Sequence, residues 1–346
     1  MDEAKAEPPV VSVVIPVFNG GDDLEQCLAA VFASDFGRFE CIVVDDASTD
    51  GRTAGIARRY GARLLEMDRQ RGPAIARNRG AEAARGEVLF FTDADVVLHP
   101  NAISRAVETL RSDAGLAAVF GSYDASPKHS SFVSRYRNLY HHWNHQLGQE
   151  DASTFWTGCG AVRRNIFLQL DGFSNDYERP SIEDIELGYR IRSAGYRIRL
   201  VKDMLASHLK CWTFMGMVKT DIFQRGIPWV VLLRRFPDSP ADLNINPGAR
   251  AATLLALIFL CSLVAAAGMV WAGWSAWWFS IPVLCIAGIS WIQRDFLRLL
   301  WKLHGPASAF AAIPLQVVFF ICCAVAVPLG YLEAWREKRP RQSRPR

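Results

Sequence analysis

The sequence predicts an α/β domain followed by helices that lie on a membrane and then cross it, and three observations carry that reading. From Val10 to about Asp124, short β-branched runs alternate with helix-like segments, the pattern of a parallel sheet covered by helices. Two long stretches without charge come later: Ala251 to Ile292 is 42 residues with no Asp, Glu, Lys, Arg or His, and Gly305 to Leu332 is another 28. Between these regimes, Trp212 to Phe236 mixes aromatic and apolar residues with Lys219, Arg225, Arg234 and Arg235, a composition suited to helices in a membrane interface.

Taken in order, the strands read VVSVVIPVF, ECIVVDD, ARLLEM, EVLFFTD and LAAVFGS. Helices fit between them. Asp22 suits a cap of the first, Pro73 the opening turn of a later one, and His99-Pro100-Asn101 the start of another. This is a nucleotide-binding type of architecture, in which ligands gather at the carboxyl ends of the strands. Residues 125–157, rich in Ser, His, Tyr and Trp, show no clean period and read as a surface or acceptor-facing segment, where Tyr136, Tyr140, Trp143 and Trp156 either stack on a ligand or belong to the core. TGCGAVRR and NIFLQLDGF then read as a strand entering a helix, IEDIELGYRIRSAGY as a helix and RIRLVKD as a final strand.

A helix needs roughly 20 apolar residues to cross the hydrocarbon core, so the first charge-free run fits two spans and the second one. The expected division is a tail at 1–9, an α/β domain at 10–210, interfacial helices at 211–248, a membrane region of about three helices at 249–332, and a basic tail at 333–346. Residues 1–8 are polar and lack the apolar stretch of a cleavable signal, so the α/β domain is expected inside the cell on a multi-pass inner-membrane protein. Arg234-Arg235 and the stretch with Arg294, Arg298 and Lys302 agree with the positive-inside rule, and Trp271, Trp274, Trp277 and Trp278 suit the outer surface. A third crossing would put the basic tail outside, against that rule, and the last segment, interrupted by Pro314 and Pro328, either crosses or re-enters. Eight cysteines without a CxxC pair read as reduced, buried thiols. Net charge is only +4, and six basic residues crowd the last eleven positions, which points to a membrane surface and not to nucleic acid.

Three acidic signals carry chemistry. Asp45-Asp46 ends an apolar strand, where a carboxylate either accepts from a base N–H or a ribose hydroxyl or merely caps the next helix. Asp93-Ala94-Asp95 follows EVLFFT; in an extended segment both carboxylates would project the same way and offer oxygen ligands to a hard cation, although an acid-x-acid triplet is often only a loop. Glu183-Asp184 heads a predicted helix, where acids complement the dipole, yet inverting group transfer also needs one carboxylate to take a hydroxyl proton. His208 alone would read as a partly buried polar residue.

VSVVIPVFN, VVDDASTDG, GPAIARNRG, FFTDAD, TGCGAV and IEDIELGYRI stand in the order found in the family 2 glycosyltransferases of the GT-A fold, which the chain resembles over roughly residues 10 to 210. The resemblance implies a hexosyltransferase of cell-envelope biogenesis. Its nucleotide-contacting positions are Pro16, Val17, Asn19, Asp45, Asp46, Arg77 and Asp93. Its metal position is Asp95, with His208 beside it, for Mn²⁺ or Mg²⁺. Its acceptor loop falls on Thr157, Gly158 and Gly160, and its base motif on Glu183 and Asp184, of which Asp184 is the expected base. Processive relatives carry QxxRW on an interfacial helix; Gln224, Arg225 and Trp229 are present here at another spacing, and either serve the acceptor or diphosphate site or leave Trp229 as an interfacial anchor. The function implied is transfer from a UDP- or GDP-sugar to a lipid-linked or polysaccharide acceptor, with membrane lipid as a partner. A processive synthase and a catalytically silent nucleotide-sugar-binding scaffold are the alternatives.

Overall fold

The computed structural model describes residues 7–237 and 246–337, which fall into two units dividing between Cys211 and Trp212. In the first unit β1 (Val11–Val17) is buried along its whole length, and β2 (Phe39–Asp45) and β4 (Val88–Thr92) are apolar almost without alternation. Such runs arise because central parallel strands are covered on both faces. With β3 (Arg63–Glu66) they form a parallel block in the order β3-β2-β1-β4. Helices α1 (Gly21–Phe32), α2 (Thr53–Arg59) and α3 (Pro73–Ala83) cover it, while α4 (Ala102–Ser112) packs on strands that follow it in the chain. In α4 the buried Ile103, Ala106, Val107 and Leu110 recur at the spacing of one helical face. Asp22 is not the cap of α1: Gly20 holds that position, and Asp22 lies in the first turn, ion-paired with Arg52.

The rest of the sheet departs from the purely parallel expectation. β8 (Cys159–Arg163) inserts antiparallel between β4 and β6 (Leu116–Tyr123), and β9 (Arg197–His208) runs parallel to β6. The last predicted strand is thus longer than RIRLVKD and carries His208 at its end. Two further short strands, β5 (Val96–Leu98) and β7 (Asp151–Ala152), pair antiparallel with β9. Helices α6 (Arg164–Gln169) and α7 (Glu183–Ser193) lie between β8 and β9 in the chain. The segment without a clean period contains α5 (Phe132–Leu147), capped by Ser131 Oγ, which accepts from Ser134 N at 3.3 Å. Its buried residues include Arg137, Asn138, Asn144 and His145 beside Tyr136, Leu139 and Tyr140, so no apolar stripe marks it in the sequence. Tyr136 and Tyr140 are core residues here. Cys27, Cys41 and Cys159 are buried, and burial pushes the Cys41 thiol up to about 12; Cys211 and Cys261 are exposed, unlike the expectation.

Glu40 staples the block where β1, β2 and the turn before β4 meet. Its carboxylate, 8% exposed, accepts from Ser12 Oγ at 2.7 Å and from Arg85 N and Nε at 2.7 and 3.0 Å. Burial opposes ionisation, but these hydrogen bonds and the Arg85 charge outweigh it and hold the group below the ordinary 4.5. A depressed carboxyl contributes stability that is fully present above its unfolded value and lost as pH falls through the folded one. Glu40→Gln is therefore expected to cost about 1–3 kcal/mol near neutrality. Urea titrations should show the gap from the unmodified protein closing as the pH falls below 4.5.

The second unit is helical. It runs through α8 (Phe214–Lys219), a π-helical stretch (Thr220–Gly226), α9 (Ile227–Arg235), α10 (Pro247–Trp271), a 3₁₀ turn (Ala276–Phe279), α11 (Ser280–Ile292) and α12 (Arg294–Glu337), which breaks at Gly305. Of the three expected crossings, two fall on helices long and apolar enough to span a bilayer, α10 and α12; the segment between them, Ala276–Ile292, is shorter. Only 11% of the most apolar stretch of α10 is buried, and Leu254, Leu257, Ile258 and Val264 project from it. Trp271, Trp274, Trp277 and Trp278 are all exposed. Exposed apolar surface on this scale calls for a non-aqueous neighbour. The expected basic residues from Lys338 onward and the first six residues lie outside the described residues.

Candidate active site

The acidic motifs converge at the carboxyl ends of β1, β2 and β4. β1 ends in the buried Pro16 and Val17, and Val17 pairs with Asp45 across the sheet. Asn19 follows with φ 55°, a left-handed conformation that Asn tolerates. Its Oδ1 accepts from Thr49 N and Asp50 N at 2.7 and 3.1 Å, tying the end of β1 to the loop after β2. Asp45 Oδ1 accepts from Ser48 N at 2.8 Å inside that loop. Both oxygens of Asp46 are engaged by backbone donors, Arg71 N at 2.7 Å and Gly72 N at 2.8 Å, so its carboxylate fixes the entry to α3.

Asp93 and Asp95 do not lie in an extended segment. Val96 N donates to Asp93 O at 3.0 Å, closing a turn between β4 and β5, and the two carboxylates meet different partners. Asp93 Oδ1 accepts from Arg77 Nη2 at 2.6 Å, while Arg77 Nη1 donates to Glu183 Oε1 at 2.8 Å. The guanidinium, 4% exposed, also lies 5.6 Å from the centre of the Phe173 ring. Burial would lower its pKa, but the charges of Asp93 and Glu183 more than compensate and raise it. Arg77 therefore bridges α3, the end of β4 and the head of α7 from a position closed to solvent. Glu183 is buried as well, its second oxygen accepting from Ser181 N at 2.9 Å. Asp184 beside it is only half-buried; Thr157 N and Oγ1 donate to its Oδ2 at 3.2 and 3.3 Å, and Ile185 N donates to Oδ1 at 2.8 Å.

The antiparallel pairing of β5 with β9 sets Val96 opposite His208, and so brings His208 Nε2 within 3.3 Å of Asp95 Oδ2. Burial alone would push the Asp95 carboxyl up, but the hydrogen bond and charge of His208, with Lys210 beyond, hold it below its ordinary value. Among the described residues no group of three or more His, Cys, Asp or Glu comes together. Asp95 and His208 together offer one oxygen and one nitrogen donor, a chemistry that fits a divalent cation. Across the site, Thr92 Oγ1 donates to Gly158 O at 3.1 Å. A Cβ on Gly158 would lie 2.3 Å from the Trp156 ring, and one on Gly160 2.2 Å from Trp156 O, so packing alone demands glycine at both. Gln224 and Arg225 lie in the π-helical stretch of the second unit and Trp229 in α9, where it is buried. A concavity of about 750 Å³ beside α3, lined by Glu66, Arg71, Arg79 and Asp171 among others, holds none of the candidate site residues.

The profile of Glycosyl transferase family 2 matches residues 12–170, and that of the N-terminal domain of galactosyltransferase matches residues 137–210. Glycosyltransferase AglE of Haloferax volcanii is 30% identical over 210 residues, covering 58% of this chain and 67% of its own. The chain is a family 2 glycosyltransferase. Succinoglycan biosynthesis protein ExoO of Rhizobium meliloti is 34% identical over 113 residues, but the match covers only about a third of either protein, 32% of each. Among solved structures, the mannosyltransferase PcManGT of Pyrobaculum calidifontis, in complex with GDP-Man and Mn²⁺, aligns with a TM-score of 0.58 and 19% identity over 96% of this chain and 89% of its own, which establishes the GT-A fold.

Two residues of the glycosyltransferase that no motif marked meet His208. Asn138 on α5 has its Oδ1 3.1 Å from His208 Nδ1, and the Tyr123 ring stacks on the imidazole with centroids 4.6 Å apart and planes 9° from parallel. Asn138 belongs to the segment without a period and Tyr123 ends an apolar strand, so neither carried a signal of its own.

Proposed function

We propose that this glycosyltransferase catalyses inverting, metal-assisted transfer of a sugar from a UDP- or GDP-sugar to a membrane-associated acceptor, lipid-linked or envelope polysaccharide. The observation that carries it is the contrast between the two carboxylates at the head of α7. Glu183 is buried and neutralised by Arg77, whereas Asp184 is half-buried and held by Thr157 at the acceptor loop. Asp184 takes the proton of the acceptor hydroxyl as that oxygen bonds to the anomeric carbon, and the bond from this carbon to the diphosphate oxygen breaks on the opposite face. Asp93, aimed by Arg77, accepts from the donor ribose, with Asp45, Asp46, Asn19, Pro16 and Val17 framing the nucleotide. Asp95 and His208 would hold Mn²⁺ or Mg²⁺. When bound, the cation neutralises charge on the diphosphate. Thr157, Gly158 and Gly160 border the acceptor.

The relatives support the donor and the setting. PcManGT is described with GDP-Man and Mn²⁺, and ExoO is named for succinoglycan biosynthesis. The apolar α10 and α12 supply the anchor in this reading, with the catalytic unit on the cytoplasmic side, where nucleotide-sugars are made. The test is a donor screen on full-length protein in lipid, with Mn²⁺, UDP-, GDP- and dTDP-sugars and a membrane-lipid extract, following nucleoside diphosphate release. Release that requires one donor, the metal and the extract is the expected result. Tight donor binding with no release under any combination would instead favour the silent scaffold.

A further inference from the structure

Helix α12 turns a corner at the level where its sequence changes from charged to apolar. Residues 294–304 form an amphipathic limb: Phe296 and Leu300 are buried, while Arg294, Arg298, Trp301 and Lys302 are exposed on the opposite side. Gly305, at φ 80°, breaks the helix in the left-handed region open to glycine, and the chain then runs without a charge through Leu332. A limb of this kind suits a membrane interface, and the apolar run beyond it suits the hydrocarbon. The corner encloses a groove of about 420 Å³, lined on one limb by Arg298, Trp301 and Lys302 and on the other by Phe310 and Ile313, among others. Its wall exposes only apolar atoms, so the two basic residues face it with their methylene stems and hold their charges outside it. Trp301 and Phe310 stand across the corner with ring centroids 6.2 Å apart, each more than half exposed.

We propose that this corner seats one anionic phospholipid of the surrounding bilayer, with an acyl chain in the groove and the phosphate at Arg298 and Lys302. The volume falls within the roughly 300–1,000 Å³ usual for small-molecule sites, and a wall without polar atoms gives water nothing to bond. Charge selects the headgroup. Between Gln293 and Leu332 the three bases Arg294, Arg298 and Lys302 face a single acid, Asp295, which leaves the corner a net positive charge. Asp295 accepts from Arg298 Nη1 at 2.8 Å, but both side chains are more than half exposed, and a surface pair of this kind holds the guanidinium weakly. Abundance selects the source, because the groove opens beside the exposed Trp301 and Phe310, where bulk phospholipid outnumbers any scarce lipid-linked substrate. The proposal rests on the reading of the second unit as inserted in a membrane.

The experiment is native mass spectrometry of the full-length protein released from lipid nanodiscs, with phosphatidylglycerol, phosphatidylcholine of the same chains, or a polyprenyl phosphate as the probe. Phosphatidylglycerol should be retained about 25-fold more tightly than phosphatidylcholine, on the order of fivefold for each of the two bases. Arg298→Gln and Lys302→Gln should each lose about fivefold, and the double variant about 25-fold. Arg294→Gln removes a charge from the same helix face one turn before the groove and should leave retention unchanged. Ile313→Trp, which fills the groove, should release phospholipid of either headgroup. A loss in Arg294→Gln equal to that in Arg298→Gln would reduce the effect to diffuse attraction and overturn the site, as would equal retention of the two phospholipids or undiminished retention in Ile313→Trp. Tighter retention of polyprenyl phosphate than of phosphatidylglycerol, lost in the same variants, would overturn the choice of occupant. Co-flotation with phosphatidylcholine vesicles separates the two readings: a protein that inserts but shows no headgroup preference would remove the proposal alone, and one that never inserts would remove the membrane reading with it.

Discussion

Asp184→Asn is expected to lower kcat by about 10²–10⁴-fold, the usual contribution of a general base, while donor affinity stays nearly constant. The substitution is close to isosteric, and an amide oxygen can still accept from Thr157 N and Oγ1, so the loop after β7 should keep its place. What disappears is the negative oxygen able to take a proton. Glu183→Gln is the informative control, because that residue is buried and its charge is matched by Arg77; its neutral variant should lose stability more than turnover. Steady-state rates with the donor identified by screening, together with nucleotide binding by calorimetry, separate the two. Normal turnover in Asp184→Asn would remove the residue from the chemistry and leave its hydrogen bonds as its whole purpose.

Arg77→Met should destabilise the protein by about 3–5 kcal/mol, the cost of leaving buried charges without their partner. The guanidinium satisfies Asp93 and Glu183 with two different nitrogens, and Glu183 is 5% exposed against 33% for Asp93, so most of the penalty falls on Glu183. Adding Glu183→Gln to Arg77→Met should recover part of the loss, a rescue that a mere packing defect would not show. Arg77→Lys should not substitute well, since one ammonium lacks the fork that spans both carboxylates. Thermal or urea unfolding followed by tryptophan fluorescence gives the ranking. Equal stability of Arg77→Met and the unmodified protein would contradict the bridge.

Much of the architecture was legible because central strands such as Val11–Val17 and Val88–Thr92 need apolar residues on both faces, and a run of that kind survives any reading frame of periodicity. β5 was not, because three residues carry no period. α5 was hidden by its own interior: Arg137, Asn138 and His145 face inward and erase the stripe that would announce a helix. The acidic motifs were visible as strand-end carboxylates, but their partners were not. Arg77 and Glu183 are 106 positions apart, and nothing local distinguishes an arginine that bridges two acids from one that reaches a nucleotide. The expectation that Asp93 and Asp95 project together failed for a related reason, since a turn closed by Val96 N sends one toward α3 and the other toward β9.

The insertion of β8 between β4 and β6 also sets a timetable for synthesis. Strands β1 to β4 can pair as soon as residue 92 has emerged from the ribosome, since every partner in that block precedes it. β6, although next but one in the chain, has no neighbour until residues 159–163 arrive, and β4 keeps an open edge meanwhile. Such an edge invites pairing with other chains, and distant pairings are slow to form. β9 comes last of all, and only with it does His208 reach Asp95. The nascent polypeptide therefore completes its parallel block early and its acid–histidine pair only at the final step, when the sheet has no strand left to add.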